Sequence, residues 1–377
     1  MKLIAFLITI MVTHISFNQT IYLVKGVRLF DGHHVRENVD VLIKDGIIAR
    51  ISEASLDANV VPIDGTNKTI IPGLINCHVH AWLPYHLKNA MEAGVFAVLD
   101  MHTSIHPDSL SKWKLEDGYA RFYSTGYAAT VSGGHGTQFG YRVPAIGRDR
   151  SPKQHVKESL ARGSDYIKII YEPQMPTLTV EQVKQIAEAG RENGLLTVAH
   201  ISRKEHAAEL LNTGINGFAH MWKVAPADQS LLDAVKQNDM FIIPTISVME
   251  GVIEYYESNG LSVPFSSLDT LVREIKRIHD AGITVLAGTD PPNVGLDYGR
   301  SLYNELKLFV EAGLTPVEAL RTATSSPNKI FQVEDIGIIK EGGPANFILI
   351  EGDPTTNIEE LENSKSIWIN GNQINLK

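Results

Sequence analysis

Hydrophobic and polar positions change their period twice along the 377-residue chain. Past an opening apolar run, "IYLVKGVRLFDG" and "VDVLIKDGIIARISE" alternate as half-buried strands do, and Asp45-Gly46 between them is a hairpin signal. The far end repeats this pattern in "ANFILIEGD" and "SIWINGNQINL", the latter turning at Asn370-Gly371. Between about Leu74 and Phe331 the short apolar runs "LINCHVH", "GVFAVLDM", "FYSTGYAAT", "DYIKII", "LLTVAH", "INGFAH", "MFIIPT" and "ITVLAGTD" take over. Most of them are followed by a helical stretch such as "TVEQVKQIAEAGRENG" or "LDTLVREIKRIHDAG". Strands buried on both faces and alternating with helices indicate a parallel sheet, and eight such units in about 260 residues match a closed (β/α)8 barrel. The expected fold is therefore α/β: a TIM-like barrel over 73–335, with segments 20–72 and 336–377 pairing beside it as a small composite β-sandwich.

Composition narrows the function. With 44% hydrophobic and 20% charged residues the chain is an ordinary globular one, and its net charge of −9 with no Lys/Arg-rich patch speaks against nucleic acid or an anionic membrane as partner. A small molecule or peptide is the default ligand. Residues 1–19 read as a secretory signal peptide: Met1-Lys2, the apolar run "LIAFLITIMV", too short to span a bilayer, then polar "THISFNQT". Cys77 is the only cysteine, so no internal disulfide can form. The expectation is an exported protein, periplasmic or secreted and free of the membrane after signal cleavage. Its oligomeric state stays open, a homo-oligomer being compatible with everything above.

In a barrel of this kind the active site lies at the carboxyl ends of the strands. The first strand ends in His78 and His80, the fourth carries Lys168, the fifth ends at His200, the sixth at His220 and the eighth at Asp290. Residues two apart on a strand share a face, so His78 and His80 can reach one point in the barrel mouth. An HxH pair alone is weak evidence. Its convergence with imidazoles and a carboxylate from other strand ends points to a divalent metal, zinc being well suited by nitrogen and oxygen donors.

The order PGxxxxHxH, "DYIKI", "TVAH", "FAH" and "GTD", followed by "LYNELKLFVEAGLTPVEALRTATSSPNKIF", resembles the amidohydrolase superfamily, in particular its imidazolonepropionase-like and Xaa-Pro dipeptidase branch. The resemblance implies two divalent cations, one held by His78, His80 and Asp290 and the other by His200 and His220. Lys168, carboxylated on its amine, would bridge them. Carboxylation needs an uncharged amine, which burial near cations favours. Two such ions can share a water and lower its pKa from about 15.7 to roughly neutral. Asp290 would take the proton of that water and pass it to the leaving group.

Substrate contacts are less sharply marked. His135 in the glycine-rich "TVSGGHGTQFGYR" resembles a histidine that contacts substrate in the dipeptidase-like relatives. Arg142 and Arg300 are candidates for a bidentate grip on a substrate carboxylate, Tyr171 and Tyr298 for the mouth lining, and His102 and His106 follow the second strand. The remaining histidines (His33, His34, His86, His155, His206 and His279) read as surface or structural. Ser202 stands where relatives carry an aromatic or imidazole, and Pro291-Pro292 follows Asp290 where small residues are usual, so a relative's substrate does not transfer. The reading is a metal-dependent hydrolase of amide, peptide or cyclic amide bonds, a dipeptidase among the options. A lactonase or phosphoesterase with the same two-metal site is the alternative. Further off stand a one-metal deaminase, for which the helix offers only Glu205, and a non-catalytic receptor.

Overall fold

The computed structural model describes residues 21–57, 60, 62–106 and 108–375; the expected signal peptide, 1–19, lies outside them. Alternation at the start becomes an antiparallel ladder: β1 (Ile21–Phe30) pairs with β2 (Val35–Lys44), and β3 (Ile47–Ser52) folds back on β2. Asp45 and Gly46, the two residues between β2 and β3, have φ of 52° and 84°, the left-handed pair that a tight type I′ hairpin requires. β4 (Ile63–Asp64) and β5 (Lys68–Pro72) then run parallel to β1.

The barrel strands follow as β6 (Leu74–Val79), β7 (Val95–Asp100), β8 (Arg121–Ser124), β9 (Ile167–Ile170), β10 (Thr197–His200), β11 (Gly217–Ala219), β12 (Phe241–Ile243) and β13 (Thr284–Val285). Every residue of β6, β7, β9, β10, β11 and β12 is buried, as strands covered on both faces must be. Parallel pairing runs through β6-β7-β8 and through β9-β10-β11-β12-β13. Two seams join these arcs. At one, the amide of Ala129 donates to the Lys168 carbonyl (2.8 Å) and that of Ile170 to the Ala129 carbonyl (2.9 Å). At the other, the amide of Cys77 donates to the Ala287 carbonyl (2.8 Å) and that of Asp290 to the His78 carbonyl (2.7 Å). The third strand is shorter than its apolar pattern suggested, because the chain leaves the sheet after Ser124 and rejoins it only at Ala129.

Helices cover the barrel with the apolar faces their spacing foretold. Thr179 opens Val180–Glu192 with a capping box to Gln182, satisfying amides that the first turn would otherwise leave without partners, and Val183, Ile186 and Ala187 face inward. Leu271, Ile275 and Ile278 do the same from Leu268–Asp280; full burial of each such side chain stabilises by about 1.5–3 kcal/mol.

β14 (Phe347–Glu351), β15 (Lys365–Ile369) and β16 (Asn372–Ile374) complete the terminal sheet, in the order β16-β15-β14-β5-β1-β2-β3. Trp368 of β15 stacks on Phe347 (5.5 Å between centroids) and meets Tyr22 of β1 edge-on (5.1 Å), so strands from both chain ends close over one small core with Val24, Val41 and Ile70. The architecture is a (β/α)8 barrel with a β-sandwich built from both ends of the chain.

Candidate metal centre

The end of β6 is tied to the end of β13 before any histidine chemistry begins. Asn76 donates its side-chain amide to Thr289 Oγ1 (2.7 Å) and accepts from the Thr289 backbone N–H (3.2 Å). This sets Asp290 opposite the HxH pair. Its Oδ1 lies 2.9 Å from His80 Nε2 and 3.2 Å from His78 Nε2. One ligand atom from each of the three residues fits within 4.8 Å of the others.

Both ring nitrogens of His78 and the Oδ1 of Asp290 are buried and make no hydrogen bond, because the close approaches lack donor geometry. Orphaned polar atoms of this kind are costly, and a cation held between His78 Nε2 and Asp290 Oδ1, which face each other, removes the cost for these two. The residues present therefore fit a metal ion. Burial, with Lys168 nearby, pushes His78 down to about 3, so its imidazole is a neutral donor. Burial opposes the charge on Asp290, yet the imidazoles against it outweigh that and hold its carboxyl well below the ordinary range.

His80 directs its Nδ1 at the carbonyl of His102 (3.1 Å), which can only accept. The proton therefore sits on Nδ1, and the Nε2 lone pair faces Asp290. His220 is fixed in the same way. The Thr245 hydroxyl donates to the Pro244 carbonyl (2.7 Å) and so accepts from His220 Nδ1 (2.6 Å), leaving Nε2 free toward the mouth. His220, Thr245 and Asp290 have φ of 66°, 54° and 58°, a left-handed backbone that side chains other than glycine seldom adopt and that concentrates at functional sites.

The His220 ring lies 4.6 Å from that of His78 and 4.8 Å from that of His200, giving one continuous imidazole cluster. Burial depresses His200 to about 3 and His220 well below its usual value, so both are neutral nitrogen donors. Lys168 opens from β9 into the same cavity. Burial lowers its amine to about 7, so a large fraction is uncharged at neutral pH.

The cavity has a volume of about 250 Å³ and is lined by His78, His80, His102, His135, Lys168, His200, His220 and Asp290, together with the apolar Met221, Val248, Met249 and Phe265. A side lobe of about 470 Å³ shares His80, His102 and Phe139 with it and adds Trp82 and Tyr141. His135 reaches the site, its ring 4.7 Å from that of His200. Other substrate candidates do not. Arg142 and Arg300 are exposed and line neither cavity, because their loops turn the side chains to solvent. Tyr171 hydrogen-bonds Glu209 behind the barrel, being three places from Lys168 and so on the opposite face. Tyr298 sits beneath the site, donating to the His80 carbonyl (2.6 Å) and stacking on His86. His102 lines both lobes but is held by the Ala128 amide and the Gly136 carbonyl, whereas His106 is exposed beside Asp108.

Three charged residues escaped the sequence reading. Glu172 lies 3.5 Å from His200 Nε2; the strand period from Lys168 would have found it. Asp100, at the end of β7, accepts from the Ala81 amide (2.9 Å) and Ser124 Oγ (2.7 Å) and steadies the turn after His80. Burial pushes its carboxyl up to about 7. Lys223, in the loop after β11, also lines the cavity.

A model of the amidohydrolase family matches residues 69–374. The chain is 24% identical to a 5-methylthioadenosine/S-adenosylhomocysteine deaminase of Dictyoglomus turgidum, covering 87% of this chain and 84% of that one. It is 22% identical to an imidazolonepropionase of Vibrio cholerae, over 78% and 81% of the two chains. Among solved structures, a Xaa-Pro dipeptidase with bound methionine superposes with a TM-score of 0.77 at 21% identity, covering 94% of this chain and all (100%) of the other. An A. niger ochratoxinase gives 0.75 at 19% identity, over 94% and 95%. At these identities the structural likenesses establish the fold.

Proposed function

The chain belongs to the amidohydrolase family, and on that premise we propose that it is a metal-dependent hydrolase cleaving carbon–nitrogen bonds in small amides or peptides. The observation that carries this is the meeting of His78, His80 and Asp290 at the mouth of the barrel, where the ring nitrogens of His78 and Oδ1 of Asp290 are buried without a hydrogen-bond partner. These three would hold one divalent cation. His200, His220 and a carboxylated Lys168 would hold a second, and zinc suits such donors. Bound there, the ions supply an acidified water and polarise the scissile carbonyl.

The chain's own residues do the rest. Asp290, kept ionised, takes a proton from the attacking water and returns it to the leaving nitrogen, which without it would depart as a poor anionic leaving group. His135, at the rim beside His200, is placed to donate to the carbonyl oxygen as it gains charge. Met221, Val248, Met249 and Phe265 give the same cavity apolar lining that limits its water. Support for amide cleavage comes from the imidazolonepropionase and Xaa-Pro dipeptidase likenesses together with this donor set.

A panel of dipeptides, N-acyl amino acids, lactones and aryl phosphoesters, run on protein with counted metal, tests the proposal. Turnover of amides with about two metals per chain supports it; turnover of the phosphoesters or lactones alone overturns it. One observation favours a second reading, hydrolytic deamination: Glu172 beside His200 is a carboxylate of the kind a one-metal deaminase uses, and deaminases are among the relatives. Ammonia released from aminopurines, with one metal and an unmodified Lys168, would select it.

A further inference from the structure

His80 and His220 each have one ring nitrogen keyed by a neighbour, the His102 carbonyl in one case and Thr245 in the other. The key of His200 comes from the adjacent strand. β9 and β10 pair with Ile170 opposite His200, so the chain leaving β9 carries Glu172 past the imidazole. There Glu172 Oε2 stands 3.5 Å from His200 Nε2, and among the described residues no other acceptor forms a hydrogen bond or ion pair with this ring.

Glu172 is itself held in that attitude. The Gln174 amide turns its nitrogen to Oε1 and its oxygen to Arg203 Nε (3.0 Å), and the Ser202 hydroxyl lies beside the carboxylate. The amide of Glu172 donates to Thr177 Oγ1 (3.0 Å) and its carbonyl accepts from the Met175 amide (2.9 Å), which fixes the turn that carries it. The side chain is only 13% exposed, yet among the described residues no lysine or arginine forms an ion pair with it. A carboxylate withdrawn from water without a cation is costly, so packing alone does not call for one here. Glu172 lines neither lobe of the cavity, so its effect on the site passes through the ring it faces. An ionised carboxylate can only accept, and the nitrogen it faces must then carry the proton.

We infer that Glu172 is the positioning residue of His200: it fixes the proton on Nε2, leaves Nδ1 as the nitrogen open to a cation, and makes the ring a stronger donor. His200 thereby offers the opposite nitrogen from His80 and His220. At 3.5 Å the contact is longer than a good hydrogen bond, and it shortens once a cation draws charge from the ring. This rests on the two-ion reading above and names what orients a ligand of the second ion.

The test needs no substrate. Nitrogen–proton correlation NMR of the imidazoles in the full-length, metal-free protein reads the tautomer, the His200 signals being identified by their loss in H200N. Wild type should carry the proton on Nε2. E172L, which has no acceptor, should shift it at least in part to Nδ1, whereas E172Q, whose amide oxygen still accepts, should keep it on Nε2. Zinc titration against a chromophoric chelator then gives the affinity of each ion, H220A marking the one held by His200. E172L should weaken that ion by about 10–100-fold and E172Q by less than about tenfold, with the ion of His78, His80 and Asp290 weakened less in both. A proton on Nδ1 in wild type, a tautomer unmoved in E172L, or an equal fall in both affinities overturns the inference. Should E172L not fold, the wild-type tautomer and the E172Q affinities decide in the same way. A single bound zinc would refute the two-ion reading instead, and the tautomer would still decide the role of Glu172.

Discussion

Gly288 lies so close to His78 that a Cβ at 288 would stand 2.8 Å from both the amide nitrogen and the Cβ of His78, and 2.6 Å from Ile243. The contact holds the end of β13 against the end of β6 and so brings Asp290 to the two histidines. Gly288→Ala must push these strand ends apart. We expect a stability loss of about 1–3 kcal/mol, with metal content and kcat/KM each lowered at least about tenfold, since ligand geometry tolerates little displacement. Thermal melting and metal counting check this, and full metal occupancy in the variant would contradict it.

Thr245→Val removes the hydroxyl that receives the His220 Nδ1 proton and leaves the shape nearly intact. The ring is then free to rotate or to change tautomer. Losses of this kind lower metal affinity or activity by about 10–100-fold. Competition with a chelator gives the affinity directly, and an unchanged value would show that the pairing does not orient the ring.

Lys168 has its amine lowered to about 7 by burial. Only the neutral amine can take up carbon dioxide, and the neutral fraction grows as pH rises through 7. Metal-stripped protein given zinc should therefore regain activity more fully at pH 8 than at pH 6, and more fully with bicarbonate than without it. Lys168→Ala should bind less metal and show no bicarbonate effect. Reactivation indifferent to both pH and bicarbonate would remove the carboxylated lysine from the mechanism.

Glu305 is fully buried, and burial raises its carboxyl to about 7 from an ordinary 4.5. Because the folded state binds the proton more tightly, the contribution is complete below pH 4.5 and is lost as pH climbs through 7. That window corresponds to about 3 kcal/mol. Glu305→Gln does not titrate, so wild type should lose that much more stability than the variant between pH 4.5 and 8. Denaturant midpoints across the range measure the difference, and parallel curves would mean that Glu305 loses its proton in the folded protein at no higher pH than in the unfolded chain.

Strands and helices were legible because their periods are local: every residue of β6, β9 and β10 is buried as its apolar run implied, and Val183, Ile186 and Ala187 recur at helical spacing. Strand ends carry their chemistry to a common place in any such barrel, so His78, His80, Lys168, His200, His220 and Asp290 could be named before any coordinates. The same two-residue period separates Glu172, on the Lys168 face, from Tyr171, which turns away.

Beyond the strand ends that rule lapses. Arg142, Arg300 and Lys223 all lie in or beside loops, and only Lys223 points into the cavity. Sequence by itself determined the barrel, the two terminal β segments and the donors offered at the mouth, because short-range periodicity and chain order suffice for these. Tertiary structure alone decided which loop residues face the cavity, which nitrogen of each imidazole is left with its lone pair, and how closely Gly288 lets two strand ends approach. These depend on contacts between segments up to 213 residues apart, such as Asn76 with Thr289, and no local pattern encodes them.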